Sequence, residues 1–286
     1  MLFDREYKPN DEELIYHYCN SNSFHAICSN KTLRISDVFS MNDFMEVHWG
    51  YSIWEEVATD LIKEFGEEFI DNIDKVLHTS GAIGLLLATC FSQNGDVLSQ
   101  WRAYADDGKG YAIGFRAKDI LQLPIRSLRV LYDKKKQIKE LTNVIKATYE
   151  VEKSQNFKYD SDFESSCLSI AYDLIAFKNP AFREEKEIRI VHLLNFEKSN
   201  DFLKLVDNGG TAFGKESKGK NINFLMRENT PVPFIYESFI NTNNIHPIKE
   251  IYIGPKNDVL PTAVSVFLET IGLGKVEIRK SNASYR

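Results

Sequence analysis

Two short apolar runs with a polar aromatic segment between them constrain this chain more than any other feature. Leu85-Leu-Leu-Ala-Thr-Cys-Phe-Ser92 and Tyr111-Ala-Ile-Gly-Phe115 are short and apolar, and the second opens at the Gly-rich break Asp107-Gly-Lys-Gly110. Each reads as a buried strand. Between them Trp101, Arg102, Tyr104 and Asp106 crowd into six residues. A connection held by two rigid strands is where functional side chains are usually carried.

The rest of the chain supplies the company for those strands. Leu14–Cys19 (LIYHYC) is rich in aromatic and branched residues and suits a first strand. Asn20–Ser23 can cap a short helix with Phe24, Ile27 and Cys28 on one face, and Thr32–Ser36 alternates as a second strand. Residues 47–78 carry Trp54, Val57, Leu61, Phe65, Phe69 and Ile73 at helical spacing; Gly66 can split this run and Ser80-Gly81 can stop it. Ile125–Tyr132 predicts a strand. Asp133 predicts the cap of a helix from Lys134 to Val151, whose triple-lysine start opposes the helix dipole. Phe163–Phe177 is a further helix ended by Pro180.

From Glu187 to Leu194 charged and apolar residues alternate, as in a half-buried strand. Residues 197–221 are polar and predict an exposed loop. Val232–Ile240, Ile248–Pro255 and Lys275–Lys280 predict strands, with a helix from an Asp258 cap to Leu273 between the last two, Pro261 in its first turn. The total is about eight strands and four or five helices without strict alternation. The expected fold is α+β, a mostly antiparallel mixed sheet core with helices packed around it. With no repeat and no clear linker, residues 1–286 are expected to form one domain with a polar arm over about 1–12.

Composition narrows the function. The chain of 286 residues is 43% hydrophobic, enough for a sizeable core. A net charge of -6 argues against a wide nucleic-acid footprint and leaves room for a local basic groove. The opening MLFDREYK does not resemble a signal peptide, and no apolar run of about 18 residues suggests a membrane span. Four cysteines without a CxxC fit a reduced, cytoplasmic, metal-free protein. No GxGxxG, Walker loop, HExxH or GxSxG occurs.

Five pieces taken in order resemble a known family. They are Tyr16-His-Tyr18 with Leu33-Arg-Ile-Ser36, then Met41-Asn-Asp-Phe-Met-Glu46, then Gln100-Trp-Arg-Ala-Tyr-Ala105 with Gly110–Phe115, then Phe182–Val191, and Ile251-Tyr-Ile-Gly-Pro255. The set resembles the bacterial family catalogued as domain of unknown function 2971, over roughly residues 14 to 280. The opening YHY, a helix, the LR strand and a late strand led by glutamate are also similar to the ADP-ribosyltransferase fold, which includes toxin-like members. That resemblance implies NAD as co-substrate. It casts His17 as a ribose contact, an aromatic residue as the nicotinamide wall, and Glu187 as the carboxylate that completes the site. Trp101, Tyr104, Arg102 and Arg189 then become candidates for binding the cofactor.

Each candidate has a plainer role beside the functional one. His17 can be a satisfied core histidine. Trp101 and Tyr104 can pack in the core, with Arg102 outside. Glu187 and Arg189, sharing a strand face, can form a solvated ion pair. Asn42 or Asp43 with Glu46 can be a capping box, or a cation site. Cys19, two residues from His17, can pair with it as a nucleophile, though no third group orients them. Three functions stay open. One is an NAD-consuming enzyme acting on a protein or nucleic-acid acceptor. The second is a non-catalytic module that binds a nucleotide or a protein, within a regulatory or phage-defence system. The third is a metal-dependent nuclease using Asp43, Glu46 and Asp106.

Overall fold

Local signals dictate most of the elements. The computed structural model describes residues 5–38, 45–212, 215–240 and 245–285. In chain order, β1 (Leu14–Cys19), α1 (Ser21–Asn30) and β2 (Thr32–Asp37) come first, then α2 (Met45–Phe65), α3 (Glu67–Ile83) and β3 (Gly84–Ser92). Next are α4 (Leu98–Tyr104), β4 (Tyr111–Arg116), α5 (Ala117–Ile120), β5 (Arg126–Arg129), α6 (Lys134–Ser154) and α7 (Ser161–Asp173). The last third holds β6 (Glu187–Lys198), β7 (Leu203–Val206), β8 (Gly210–Ala212), β9 (Lys215–Ser217), β10 (Asn223–Arg227), β11 (Thr230–Ser238), β12 (Ile248–Ile253), α8 (Pro261–Thr270) and β13 (Glu277–Lys280).

Eleven of these strands form one sheet in the order β10-β11-β2-β3-β1-β4-β12-β13, with β6 along the other edge of β3 and β5 and β7 on β6. Every pairing is antiparallel except β12 with β13. The fold is therefore the α+β type expected, with a mostly antiparallel sheet. One irregularity positions everything that follows. On its second edge β3 takes two strands in turn: β2 at Leu87 and Ala88, and β1 at Ser92. Both run antiparallel to β3, so they run parallel to each other, joined by α1. Between the two pairings, Thr89–Phe91 have no strand partner on that edge among the described residues. The sheet forks there.

Side-chain alternation gives the sheet two faces. Ile15, Ile35, Leu87, Phe91, Ile113 and Ile190 pack on one face against Phe24 and Ile27 of α1, Ile120 of α5 and Leu268 of α8. The opposite face is covered piecewise. Tyr18 and Ala112 meet Trp101 and Ala105, and Leu86, Ala88, Leu128 and Val191 meet Val38, Ile175 and Ala176. Helices α2, α3, α6 and α7 build a second core of their own around Trp54, Ile73, Leu141 and Phe163.

Caps and breakers act largely as their chemistry dictates. Asn20 accepts a hydrogen bond from the Ser23 amide, and the Asp133 carboxylate accepts one from the Lys136 amide, offsetting the adverse lysine start. Gly66, at φ +86, divides α2 from α3. Ser80-Gly81 does not stop α3, which runs on to Ile83. A mid-helix glycine costs about 1 kcal/mol, less than the burial of Val76 and Leu77 in the preceding turns returns. Asp258 makes no cap; Leu260 holds that place, with Pro261 opening α8.

Three expectations need larger correction. Residues 197–221 are not a loop throughout. They carry the end of β6, β7 and the β8–β9 hairpin, anchored by buried Asp207, which accepts from the Gly209 and Lys220 amides and from His192. The expected polar arm is pinned from Arg5 onward: Arg5 and Tyr7 are buried, and Arg5 donates to Glu140 of α6 at 2.6 Å and to the Asp173 carbonyl. And β6 is buried on both faces from Glu187 to Val191, not on one. It lies between β3 and β5 within the sheet, and its charged face is roofed by the segment carrying Ile175 and Lys178 rather than solvated.

Candidate functional site

A cavity of about 290 Å³ opens at the fork. His17 and Tyr18 of β1, Ile27 of α1, Arg34 of β2 and Cys90 of β3 form part of its wall. Tyr104, Lys178, Glu185 and Glu187 form another part, and Arg227 and Tyr236 of the β10–β11 hairpin a third. Tyr16 and Tyr18 lie on the opposite strand face from His17, yet all three reach this space because the sheet is open there.

Helix α4 is bolted to the sheet by its tryptophan. Trp101 is fully buried, its ring edge-on to Tyr18 at 4.9 Å, and its Nε1 donates to Asp96 at 2.7 Å. The Tyr18 hydroxyl donates to the Asn94 carbonyl at 2.9 Å and accepts from the Val97 amide, fixing the approach to the helix. Three residues on from Trp101, Tyr104 faces the cavity and donates to Glu185 Oε1 at 3.3 Å. Burial and then the Glu185 charge push its phenol well above the usual range, so it stays a hydrogen-bond donor.

Behind Tyr104 runs a chain of alternating charges. Lys178 donates to Glu185 Oε2 at 2.5 Å and to Glu187 Oε2 at 3.0 Å. Arg189 grips Glu187 with two nitrogens, at 2.7 and 3.1 Å, and gives a third to the Ile175 carbonyl at 2.6 Å. Lys178 is 2% exposed, Arg189 1% and Glu187 6%. Burial alone would raise the Glu187 carboxyl; the Arg189 and Lys178 charges overcome it and hold the group well below the carboxylate range. Each of these buried charges has an opposite charge beside it, which is the condition for burying it at all.

His17 is set differently. Its Nδ1 lies 2.9 Å from the Cys90 carbonyl, which can only accept, so Nδ1 carries the proton. Burial, the largest influence, holds the imidazole below its ordinary value. The ring is then neutral at physiological pH, with Nε2 an acceptor.

Of the six residues singled out from sequence, three meet at one cavity: His17, Tyr104 and Glu187. Arg189 sits behind Glu187. Trp101 is spent on packing, and Arg102 lies outside the cavity, its guanidinium 5.7 Å from the Tyr285 ring. Cys19 is buried and its thiol pushed far up by desolvation, the opposite of an activated nucleophile. Asp106 sits in the turn after α4 and does not line the cavity. Asn42, Asp43 and the Glu46 side chain lie outside the described residues. Among those described, no group of three or more His, Cys, Asp or Glu side chains is placed to hold a metal ion. Nor is any helix long and apolar enough to cross a membrane.

Sequence reasoning missed Arg34, Lys178, Arg227 and Tyr236 as cavity residues, and of the acids Glu184, Glu185 and Glu187 at the strand start it chose Glu187 alone, whereas Glu185 lines the cavity as well. Arg34 and Glu185 stood within stretches already singled out. Lys178, Arg227 and Tyr236 carried no local signal.

Fold and site thus define an α+β protein with a charged, aromatic cavity at a fork in its sheet. Residues 100–190 match a family described as "Protein of unknown function (DUF2971)". That stretch contains Tyr104, Lys178, Glu185, Glu187 and Arg189 but neither His17 nor the arginines of the far wall. No curated protein and no solved structure gave a match.

Proposed function

We propose that the cavity binds NAD and that the chain breaks its nicotinamide–ribose bond, passing ADP-ribose to a protein or nucleic-acid acceptor or to water. One observation carries this: His17, Tyr104 and Glu187, from three distant parts of the chain, line the same cavity. The neutral Nε2 of His17 accepts from a ribose hydroxyl. Aromatic faces such as Tyr104 take the nicotinamide. The carboxylates of Glu185 and Glu187 stabilise the positive charge that develops at ribose C1′. The C1′–N bond breaks with both electrons leaving on nicotinamide, which neutralises its pyridinium. The acceptor's oxygen or nitrogen bonds to C1′ and releases its proton to solvent. The similarity to toxin-like transferases fits a cytoplasmic effector of a bacterial toxin or phage-defence system.

A second reading, a nucleotide-binding module without catalysis, draws on the fact that both Glu187 oxygens are already engaged by Arg189 and Lys178. Nicotinamide release from NAD separates the two, measured for the wild type, Glu187→Gln and Tyr104→Phe, with and without crude cell extract. Release that falls about a hundredfold or more in Glu187→Gln is expected for an enzyme. NAD binding without release selects the module. Neither binding nor release, in a folded protein, sinks both.

A further inference from the structure

We propose that the segment after β13, residues 281–285, is a strap that fastens α4 and so seats Tyr104 in the cavity. Ser281 and Tyr285 are then positioning residues, acting on the site through a helix to which neither belongs. The placement stands on geometry alone; its consequence for NAD chemistry rests on the reading of the cavity given above.

Helix α4 needs outside support. It has seven residues, and Val97 before it gives no side-chain cap. A helix that short is marginal in water by itself. The turn after it is strained: Asp106 and Asp107 take φ of +49 and +52, values a non-glycine residue keeps only where its surroundings impose them. The strap reaches both ends. Ahead of α4, the Asp96 carboxylate accepts from Trp101 Nε1, from the Ser281 hydroxyl and from the Asn282 amide. Beyond α4, the Asp107 carboxylate accepts from the Tyr285 hydroxyl at 2.6 Å and from Lys256 Nζ at 2.8 Å. The Lys256 ammonium lies 3.9 Å from the centre of the Tyr285 ring, which steadies the ring. Between these anchors Ala283 packs against the cluster of Tyr18, Trp101 and Ala105. Burial alternates along the segment, with Ser281, Ala283 and Tyr285 less exposed than Asn282 and Ser284, so one side of it makes all three contacts. Tyr104, the last residue of α4, lies between the two anchored aspartates, and its hydroxyl joins the helix to Glu185. With the strap loosened, Tyr104 is seated for only part of the time, and a ligand that needs it binds only that fraction.

Cys90 gives a readout that needs no ligand. It lines the cavity within electrostatic reach of the Tyr104 phenol, whereas Cys19, Cys28 and Cys167 are buried. The test is the rate at which iodoacetamide alkylates Cys90 in the folded full chain, with the label located by mass spectrometry. It compares the wild type, Ser281→Asp, Tyr285→Ala and Tyr285→Phe, and repeats the first two substitutions in a Tyr104→Ala background. Ser281→Asp sets a second carboxylate against Asp96, and Tyr285→Ala removes the Asp107 anchor; each should speed alkylation of Cys90 about tenfold. Tyr285→Phe keeps the ring and should have a smaller effect, and added salt should recover part of the Ser281→Asp loss. In the Tyr104→Ala background neither substitution should add anything, because the side chain through which both act is gone. Wild-type rates in both Ser281→Asp and Tyr285→Ala overturn the inference. So does an undiminished effect in the Tyr104→Ala background, or label on the buried cysteines, which marks general loosening. Where the wild type releases nicotinamide from NAD, KM should rise by the factor read from alkylation with kcat little changed; a fall in kcat alone overturns the link to the site. A wild type that releases no nicotinamide and binds no NAD sinks the NAD reading, while the alkylation rates still decide the strap.

Discussion

At the scale of the residue, the buried charges set both stability and its pH dependence. Glu187→Ala removes the carboxylate that Lys178 and Arg189 both hold. Breaking a buried ion pair costs about 3–5 kcal/mol, and chemical denaturation should show a loss of that order. Because the Glu187 pKa is depressed in the fold, its contribution is complete above the unfolded value of about 4.3 and is lost only as pH falls below it. His17 governs a higher window. Its folded pKa is also depressed, by burial, so the unfolded chain takes up its proton first as pH drops through about 6.5. Stability from this group is intact above that pH and falls below it by at most about 1.4 kcal/mol per pH unit. His17→Gln can keep a donor to the Cys90 carbonyl and should flatten denaturation curves compared between about pH 7 and about pH 5. An unchanged slope would place the histidine in water. His246, shifted the same way by burial, should leave a residual slope.

At the scale of the element, what was legible was local. The strand at β1, the cap at Asn20, the cap at Asp133 and the break at Gly66 each follow from a few neighbouring residues. Gly66 gives a clean test. It sits at φ +86 and ψ 157, a conformation open essentially to glycine, and a Cβ there would meet nothing within 4 Å. Gly66→Ala should therefore cost about 1–3 kcal/mol of unfolding free energy through backbone strain alone. A neutral outcome would mean that α2 and α3 can join differently. β6 shows the limit of local reading. Its alternation correctly announced two faces, but whether the charged face meets water or a roof depends on β5, on Tyr132, whose hydroxyl accepts from the Glu187 amide, and on Ile175, all distant in sequence.

At the scale of the whole molecule, two cores are joined by shared residues. Leu174 and Phe177 belong to the helical core, while Ile175 and Ala176 between them pack on Leu86, Ala88 and Val191 of the sheet. Arg5 ties the same junction from the other side through Glu140 and Asp173. The two layers should then unfold together. Far-ultraviolet circular dichroism and tryptophan fluorescence are expected to give coincident transitions, since Trp54 reports the helical core and Trp101 the sheet. Separate transitions would mark the helices as an independent unit.

The amino-acid sequence by itself determined the type of most elements, the α+β class, and three side chains that share the cavity. His17, Tyr104 and Glu187 could be singled out because strand position, aromatic character and charge are local properties. Only the tertiary structure decided that β3 serves two strands on one edge and so opens a fork, that Glu187 and Arg189 are buried, and that Arg34, Lys178 and Arg227 join the wall. Those facts depend on register and on which surfaces cover which, and pairings between residues far apart leave no periodic trace in the chain.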